Sequence, residues 1–211
     1  AMEIKTVSCG VVRSNCYIIT SGENAVVIDP GYMEKELKDF AASGKRKIGY
    51  ILLTHRHFDH ICAASELKHL TGAKIAVSAA DECGLYSDDA NLTDICCGAY
   101  GHVKSDERAD VILSDGDSVV FGDMKFNVLE TPGHSKGGLC FLCGSHLFSG
   151  DTLFAGTTGR TDLPGGSLDE LMSSLKKLSL LPPDTVVFPG HGKPTTIGEE
   201  LLSNPFLRGI K

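Results

Sequence analysis

Seven consecutive residues constrain this chain more than any other feature: Thr54-His55-Arg56-His57-Phe58-Asp59-His60. They contain four potential metal ligands and directly follow an apolar segment of strand character, residues 50–53. On an extended chain, His55 and His57 project to the same side, because side chains alternate with a period of two. Asp59 and His60 come where the chain turns into the next helix, so their side chains can point to a second position beside the first. The run therefore predicts a loop at a strand end that could serve two adjacent metal sites.

Three further potential ligands stand in similar contexts, each after an apolar strand and beside a glycine. They are His134 in Thr131-Pro132-Gly133-His134-Ser135, Asp151 in Ser149-Gly150-Asp151-Thr152, and His191 in Pro189-Gly190-His191-Gly192. A lone histidine after a Pro-Gly turn is more often a surface or satisfied polar residue. Loops at strand ends of a rigid scaffold, however, commonly carry functional residues. The joint occurrence with the first run therefore favours a metal site over solvated loops.

The alternation of short strands and helices predicts two similar halves. Strands are predicted at 16–20, 25–29, 48–53, 74–77, 118–121, 125–130, 139–143, 146–149 and 185–188, and helices at 34–42, 61–70, 168–177 and 197–203. Residues 81–110 are interpreted as an excursion over the surface that could form part of a substrate pocket. This order favours two packed sheets with helices outside. No linker is visible, so we expect a single domain over 2–211, with Ala1 as an added residue.

Composition excludes several classes of partner. Lys and Arg number 20 against 27 Asp and Glu, for a net charge of −7, which argues against binding of nucleic acid. The amino end has no secretory signal, and no apolar run approaches the roughly 20 residues of a membrane span. We therefore expect a cytoplasmic protein without a membrane partner; its oligomeric state stays open. The eight cysteines are expected as free thiols, with no role assigned to Cys96, Cys97 or the Cys140-Phe-Leu-Cys143 spacing.

The potential ligands together resemble the metallo-β-lactamase superfamily over nearly the whole chain. Three further segments resemble its short, glyoxalase II-like hydrolases: 150–154, 159–166 and 204–208. The resemblance implies an α/β (α+β) fold, a four-layer αβ/βα sandwich of two mixed sheets packed face to face with helices outside. It also implies that His55, His57 and His134 hold one metal, that Asp59, His60 and His191 hold the other, and that Asp151 bridges them.

The donor set predicts two divalent metals. Five imidazoles and two carboxylates suit Zn²⁺, and iron or manganese could also bind them. A metal-bridging hydroxide would attack the substrate carbonyl, with Asp59 as the catalytic residue that orients it. No separate acid is visible beside the leaving group. Because thiolates leave well without protonation and amines do not, a thioester such as S-lactoylglutathione is the expected small-molecule substrate.

Substrate contacts and alternative functions stay open at the level of sequence. Full-length glyoxalase II has a helical carboxyl-terminal domain that supplies glutathione contacts, and we expect no such domain after His191 here. The candidates to replace those contacts are Tyr100, Lys104, Arg160, Lys193 and Arg208. Alternative activities are a mononuclear iron persulfide dioxygenase and a lactonase or other ester hydrolase. A metal-containing binding module without turnover is the non-enzymatic alternative.

Overall fold

The strands form two six-stranded mixed sheets and one short hairpin. The computed structural model describes residues 2–94 and 106–208. The strands are β1 (Glu3–Cys9), β2 (Ser14–Ser21), β3 (Asn24–Ile28), β4 (Lys47–Leu52), β5 (Lys74–Ser78), β6 (Val111–Leu113), β7 (Ser118–Phe121), β8 (Met124–Glu130), β9 (Leu139–Cys143), β10 (His146–Gly150), β11 (Leu153–Phe154), β12 (Thr157–Thr158), β13 (Val186–Pro189) and β14 (Thr195–Thr196). The first sheet has the order β1-β2-β3-β4-β5-β6, the second β14-β13-β10-β9-β8-β7, and β11 pairs with β12.

The two sheets pack face to face because their strands are apolar on both sides. Adjacent residues of a strand point to opposite faces. Ile19 and Val26 of the first sheet pack into the same cluster as Phe126, Phe141 and Phe148 of the second. This cluster is the central core. Strands buried on both faces are near-continuously apolar, and this explains why the alternation is weak in the sequence of β2 and β3.

Helices cover the outer face of each sheet. They are α1 (Lys35–Ala42), α2 (Phe58–Ile61), α3 (Ala64–Thr71), α4 (Leu168–Leu178) and α5 (Ile197–Ser203). Leu37 of α1 and Leu67 of α3 pack on the first sheet. Leu171, Leu175 and Leu178, one stripe of α4, pack on the second sheet. The expected four-layer αβ/βα sandwich is confirmed, and no described helix is long and apolar enough to cross a membrane.

The predicted helix over 61–70 is in fact two helices with a break at Cys62 and Ala63. In a continuous helix the amide of Ala63 would bond to the carbonyl of Asp59. Instead, the Ser14 hydroxyl donates to that carbonyl at 2.5 Å, and the Ala63 amide donates to the carbonyl of Pro30 at 2.9 Å. A residue far away in sequence thus ends the helix immediately after the metal-ligand run.

The strands that sequence reasoning missed are short or at an edge. β1 is a mostly exposed edge strand, and β6, β11, β12 and β14 have two or three residues each. Their pairing with distant strands defines them, and local composition carries little signal. The six described cysteines are free thiols, as expected. Cys140 and Cys143 are three residues apart on β9 and pack into clusters on opposite faces of the sheet, so their spacing does not bring the thiols together.

Candidate metal centre

All seven predicted ligands lie at one edge of the sandwich, in loops that follow strands or, for Asp59 and His60, in the short helix α2. The run 54–60 follows β4, His134 follows β8, Asp151 follows β10, and His191 follows β13. Since β10 and β13 are parallel neighbours, the loops after them leave the sheet side by side. The structure brings the seven side chains together, although residues 55 and 191 are far apart in the sequence.

Three buried histidines form the first group of potential ligands. His55, His57 and His134 offer nitrogen atoms that all lie within 4.8 Å of one another. The distance between His57 Nδ1 and His134 Nε2 is 2.9 Å. Two nitrogens bound tetrahedrally to one zinc ion are roughly 3.3 Å apart, so the spacing suits a shared ion. Burial, and then the electrostatic effect of nearby His134, lower the pKa of His57 to about 3. This low pKa favours the neutral imidazole, which is the form that binds metals.

The second group combines an aspartate with two histidines. Asp59 Oδ2 lies 3.3 Å from His60 Nε2 and 3.1 Å from His191 Nε2. Burial opposes protonation of His60 and His191, but the nearby carboxylates dominate and raise the pKa of both imidazoles. The same negative charge that attracts a proton here attracts a metal cation.

The carboxylate of Asp151 lies between the two groups. Its Oδ2 is 3.5 Å from His134 Nε2 and 3.6 Å from His191 Nε2, whereas its Oδ1 is 3.4 Å from His60 Nε2. One carboxylate thus reaches both histidine groups. The contacts are longer than hydrogen bonds and leave room for ions between the donors.

Buried polar atoms without a partner support metal binding. His55 Nε2, His57 Nε2, His60 Nε2 and Asp151 Oδ1 are buried and have no hydrogen-bond partner within the part of the chain that the structure describes. Leaving such an atom unsatisfied costs about 1–3 kcal/mol. His55 Nε2, His60 Nε2 and Asp151 Oδ1 belong to one cluster of imidazoles and carboxylates, which His57 faces through its Nδ1. The donor set therefore fits divalent metal ions.

A cavity of about 240 Å³ opens beside this cluster. Its floor contains His57, Asp59, His134 and Asp151, and its walls contain Val12, Phe58, Leu92, Leu163 and Arg160. The cavity therefore gives a small molecule direct access to residues of both groups. Leu92 belongs to the excursion that was expected to contribute to a substrate pocket.

Comparison with known proteins agrees with this geometry. Residues 9–191 match the family model of the metallo-beta-lactamase superfamily. The chain belongs to this superfamily. Hydroxyacylglutathione hydrolase GloC from Haemophilus influenzae is 34% identical over 225 residues, which cover 98% of each chain. The chain is thus a metallo-hydrolase of the superfamily with a glyoxalase II-like relative.

Two solved structures of superfamily members align over nearly the whole chain. The B3 metallo-beta-lactamase BLEG-1 is 34% identical with a TM-score of 0.91, and the alignment covers 98% of this chain and all of that one. TTHA1623, crystallised in a di-iron-bound form, is 38% identical with a TM-score of 0.84, covering 96% of this chain and all of that one. At least one structure similar to this chain thus binds iron.

Asp29 supports the ligand loop and was missed by sequence reasoning. It follows β3 and accepts hydrogen bonds from the Thr54 amide at 2.8 Å and the Thr54 hydroxyl at 2.6 Å. Its Oδ2 also lies 2.9 Å from His60 Nδ1 and orients that imidazole. Asp29 could join His55 and His60 in a third ligand group, but both of its oxygens already have protein partners. Its position between a strand end and Pro30-Gly31 was the available signal.

Asp81 connects two ligand loops and was also missed. Its buried carboxylate accepts from the Arg56 amide at 3.2 Å, the Ser135 hydroxyl at 2.6 Å and the Gly137 amide at 3.1 Å. Arg56 stands between the first two ligand histidines, and Ser135 follows His134. One carboxylate thus holds both loops. No local sequence pattern marks this role.

Two glycines beside ligands serve different purposes. A Cβ at Gly190 would lie 2.1 Å from Asp151 Oδ1 and 2.8 Å from His60 Cε1, so glycine there allows the backbone to approach these side chains closely. Gly133 has a φ of +138°, and a Cβ there would lie 2.4 Å from the backbone of Leu171 in α4. That glycine accommodates helix packing and does not face an ion.

The predicted substrate contacts have different positions. Arg160 lines the cavity, but its guanidinium forms two hydrogen bonds with Asp162 at 2.6 and 2.7 Å. Lys193 and Arg208 are exposed and do not line this cavity. Tyr100 and Lys104, like Cys96 and Cys97, lie outside the described residues. The backbone carbonyl of Arg160 also accepts a hydrogen bond from His134 Nδ1 at 2.8 Å, and this bond orients the imidazole.

Proposed function

We propose that this protein hydrolyses a thioester, such as S-lactoylglutathione, at a centre of two divalent metal ions. The observation that carries the proposal is the position of Asp151, whose two oxygens lie 3.4–3.6 Å from histidines of both groups. A carboxylate shared between two ligand sets is what a binuclear hydrolytic centre requires. The GloC relative, named a hydroxyacylglutathione hydrolase, supports the choice of substrate.

Each ligand has a proposed role. His55, His57 and His134 would hold one ion, Asp59, His60 and His191 would hold the other, and Asp151 would serve both. Two such ions supply Lewis-acid chemistry, since they lower the pKa of water and polarise a carbonyl. Asp59 uses one oxygen as a ligand, and we propose that its other oxygen accepts a hydrogen bond from the attacking water and orients it. Zinc is the proposed metal, with iron or manganese as alternatives.

The surroundings of the cavity favour a thioester over an amide. Among described residues, the titratable side chains that line the cavity are four members of the cluster and Arg160. Arg160 stays protonated and is paired with Asp162, so it is a poor proton donor. A thiolate leaves without protonation, whereas an amine needs an acid. Water adds to the carbonyl, the carbon–sulfur bond breaks, and a carboxylic acid and a thiol are released.

Metal analysis combined with a thioester assay tests the proposal. Protein purified without added metal is analysed for zinc, iron and manganese, then loaded and assayed with S-lactoylglutathione. Asp59→Ala is expected to lower kcat by roughly 100-fold or more, because a ligand and an orienting group are both lost. Asp39→Ala, on the exposed surface of α1, is the matched control and is expected to keep the wild-type rate.

Three outcomes would contradict the proposal. The first is a metal-loaded wild type without turnover of any thioester or ester. The second is an Asp59→Ala variant with an unchanged rate. The third is a single iron per chain together with oxygen-dependent formation of sulfite from a persulfide, which would establish the dioxygenase alternative.

A further inference from the structure

The cavity beside the metal centre has apolar walls. Its lining side chains above the ligands are Val12, Phe58, Leu92 and Leu163, with Arg160 as the one polar wall residue among those described. Val12 belongs to the turn between β1 and β2 and is 43% exposed. Phe58 and Leu92 are buried at 6% and 5% exposure. A part of a bound substrate in this space therefore loses its contacts with water and gains contacts with aliphatic and aromatic carbon atoms.

The wall at Leu92 is held in place by a buried polar network. Leu92 has a φ of +68°, a left-handed conformation that residues with a side chain seldom adopt. The preceding Asn91 is fully buried, donates to the Gly84 carbonyl at 2.9 Å and accepts from the Thr93 hydroxyl at 2.6 Å. Its own carbonyl accepts from the Phe58 amide at 2.8 Å. The network ties two apolar wall residues together, and strain of this kind is concentrated at functional sites.

Four of the five described wall side chains offer no partner for a polar ligand group. None of the four apolar residues has a side-chain donor or acceptor. The guanidinium of Arg160 is paired with Asp162, and this pair is exposed at 64% and 66%. Its positive charge is therefore largely compensated. A hydroxyl or carboxylate packed against the four apolar side chains would lose water without gaining a hydrogen bond from them.

We propose that the apolar walls of this cavity select an acyl group whose chain is apolar and uncharged beyond the carbon next to the carbonyl, and that they disfavour a hydroxyl at its far end. This inference rests on the proposed thioester hydrolysis and narrows its substrate class to thioesters of short acyl groups of this kind. The lactoyl group is one of them, because its hydroxyl is on the carbon next to the carbonyl. The volume of about 240 Å³ holds roughly eight groups of the size of water or methylene. A short acyl chain fits this space. A thiol as large as a tripeptide does not fit and extends outside.

Binding of product acids tests the proposal without turnover. Isothermal titration of the metal-loaded protein with acetate, propionate, butyrate and pentanoate measures the dissociation constant against chain length. Each added methylene is expected to tighten binding by about fourfold. Replacing the terminal methyl group of pentanoate by a hydroxyl, as in 4-hydroxybutyrate, is expected to weaken binding by roughly tenfold.

Two neighbouring valines provide a variant and its matched control. Val12→Asn introduces a polar side chain into the wall, whereas Val11→Asn makes the same change at a residue that is 77% exposed and does not line the cavity. In Val12→Asn, the dissociation constant of the product acids is expected to depend less on chain length. The KM for S-pentanoylglutathione is expected to rise with little change in kcat. Val11→Asn is expected to retain the wild-type values.

The outcomes separate this inference from the proposed function. Dissociation constants that are independent of chain length, or 4-hydroxybutyrate that binds as well as pentanoate, overturn the inference even if thioesters are hydrolysed. Equal effects of the two valine variants also overturn it. A steep dependence on chain length that only Val12→Asn removes supports the inference, and if no thioester is then turned over, the proposed function alone fails.

Discussion

Replacing Asp81 by alanine is expected to weaken both the fold and the metal centre. The carboxylate is fully buried and accepts three hydrogen bonds, from the Arg56 amide, the Ser135 hydroxyl and the Gly137 amide. The Arg56 Nε atom lies 3.9 Å away, too far for a hydrogen bond but close enough for attraction between charges. Asp81→Ala leaves three donors without an acceptor and one guanidinium without its counter-charge.

The expected magnitude follows from these contacts. Each orphaned buried donor costs about 1–3 kcal/mol, but such costs are not additive because water and local shifts compensate in part. Loss of one partner of a buried charged pair costs about 3–5 kcal/mol, and we adopt this range. In a chain of 211 residues, the corresponding decrease in Tm is about 6–20 °C. Because both ligand loops lose a common support, metal affinity is expected to fall by about 10–100-fold.

Two assays separate stability from metal binding. Thermal unfolding is measured on metal-free protein, since bound metal adds its own binding free energy to stability. Metal affinity is measured by competition with a chromogenic chelator at a temperature where the variant is folded. Asp89→Ala is the matched control, because Asp89 is exposed in the same segment. A Tm and a metal affinity for Asp81→Ala that both equal those of this control would refute the reasoning. A lower Tm with unchanged metal affinity would refute the positioning role.

Three further predictions follow from the described contacts. Asp29→Ala removes the acceptor that orients His60 Nδ1, and it should lower metal affinity by about 10–100-fold in the same chelator competition; Asp123→Ala, at a surface hydrogen bond, should leave that affinity unchanged. Metal-loaded protein should melt about 5–10 °C above chelator-treated protein when free metal exceeds its Kd 100-fold, and equal Tm values would argue against specific binding. The hydrogen bond from Lys177 lowers the pKa of Asp115, so this pair contributes stability above the unfolded pKa of about 3.9, and the contribution is lost as pH falls through the lower folded value. Asp115→Asn should therefore lower the free energy of unfolding in urea at pH 7 by at most about 1 kcal/mol, because both groups of the pair are at least one-third exposed. A loss of stability that persists below about pH 2 would contradict an electrostatic origin in this pair.

The amino-acid sequence by itself determined the main elements and the set of candidate ligands. The apolar strand β4 and the run of histidines and aspartate after it are adjacent in the chain, so one pattern carries both. Strands β7 and β9 and helix α5 have the predicted bounds, because local turn residues delimit them. The contexts of Asp151 and His191 were equally local, since each follows a strand and stands beside a glycine.

Only the tertiary structure decided how these pieces meet. Ser14 ends helix α2 by bonding to the Asp59 carbonyl, 45 residues away. Asp81 joins the loops at Arg56 and Ser135, and Ser135 is 54 residues away from it. Val12 lies in the turn between β1 and β2, yet it forms a wall of the cavity beside Asp59 and Asp151. Such contacts depend on the packing of the two sheets. This packing brings together side chains that are too far apart along the chain for any local sequence pattern to relate them. The candidate ligands were therefore readable from sequence, whereas their supports and the apolar character of the cavity beside them were not.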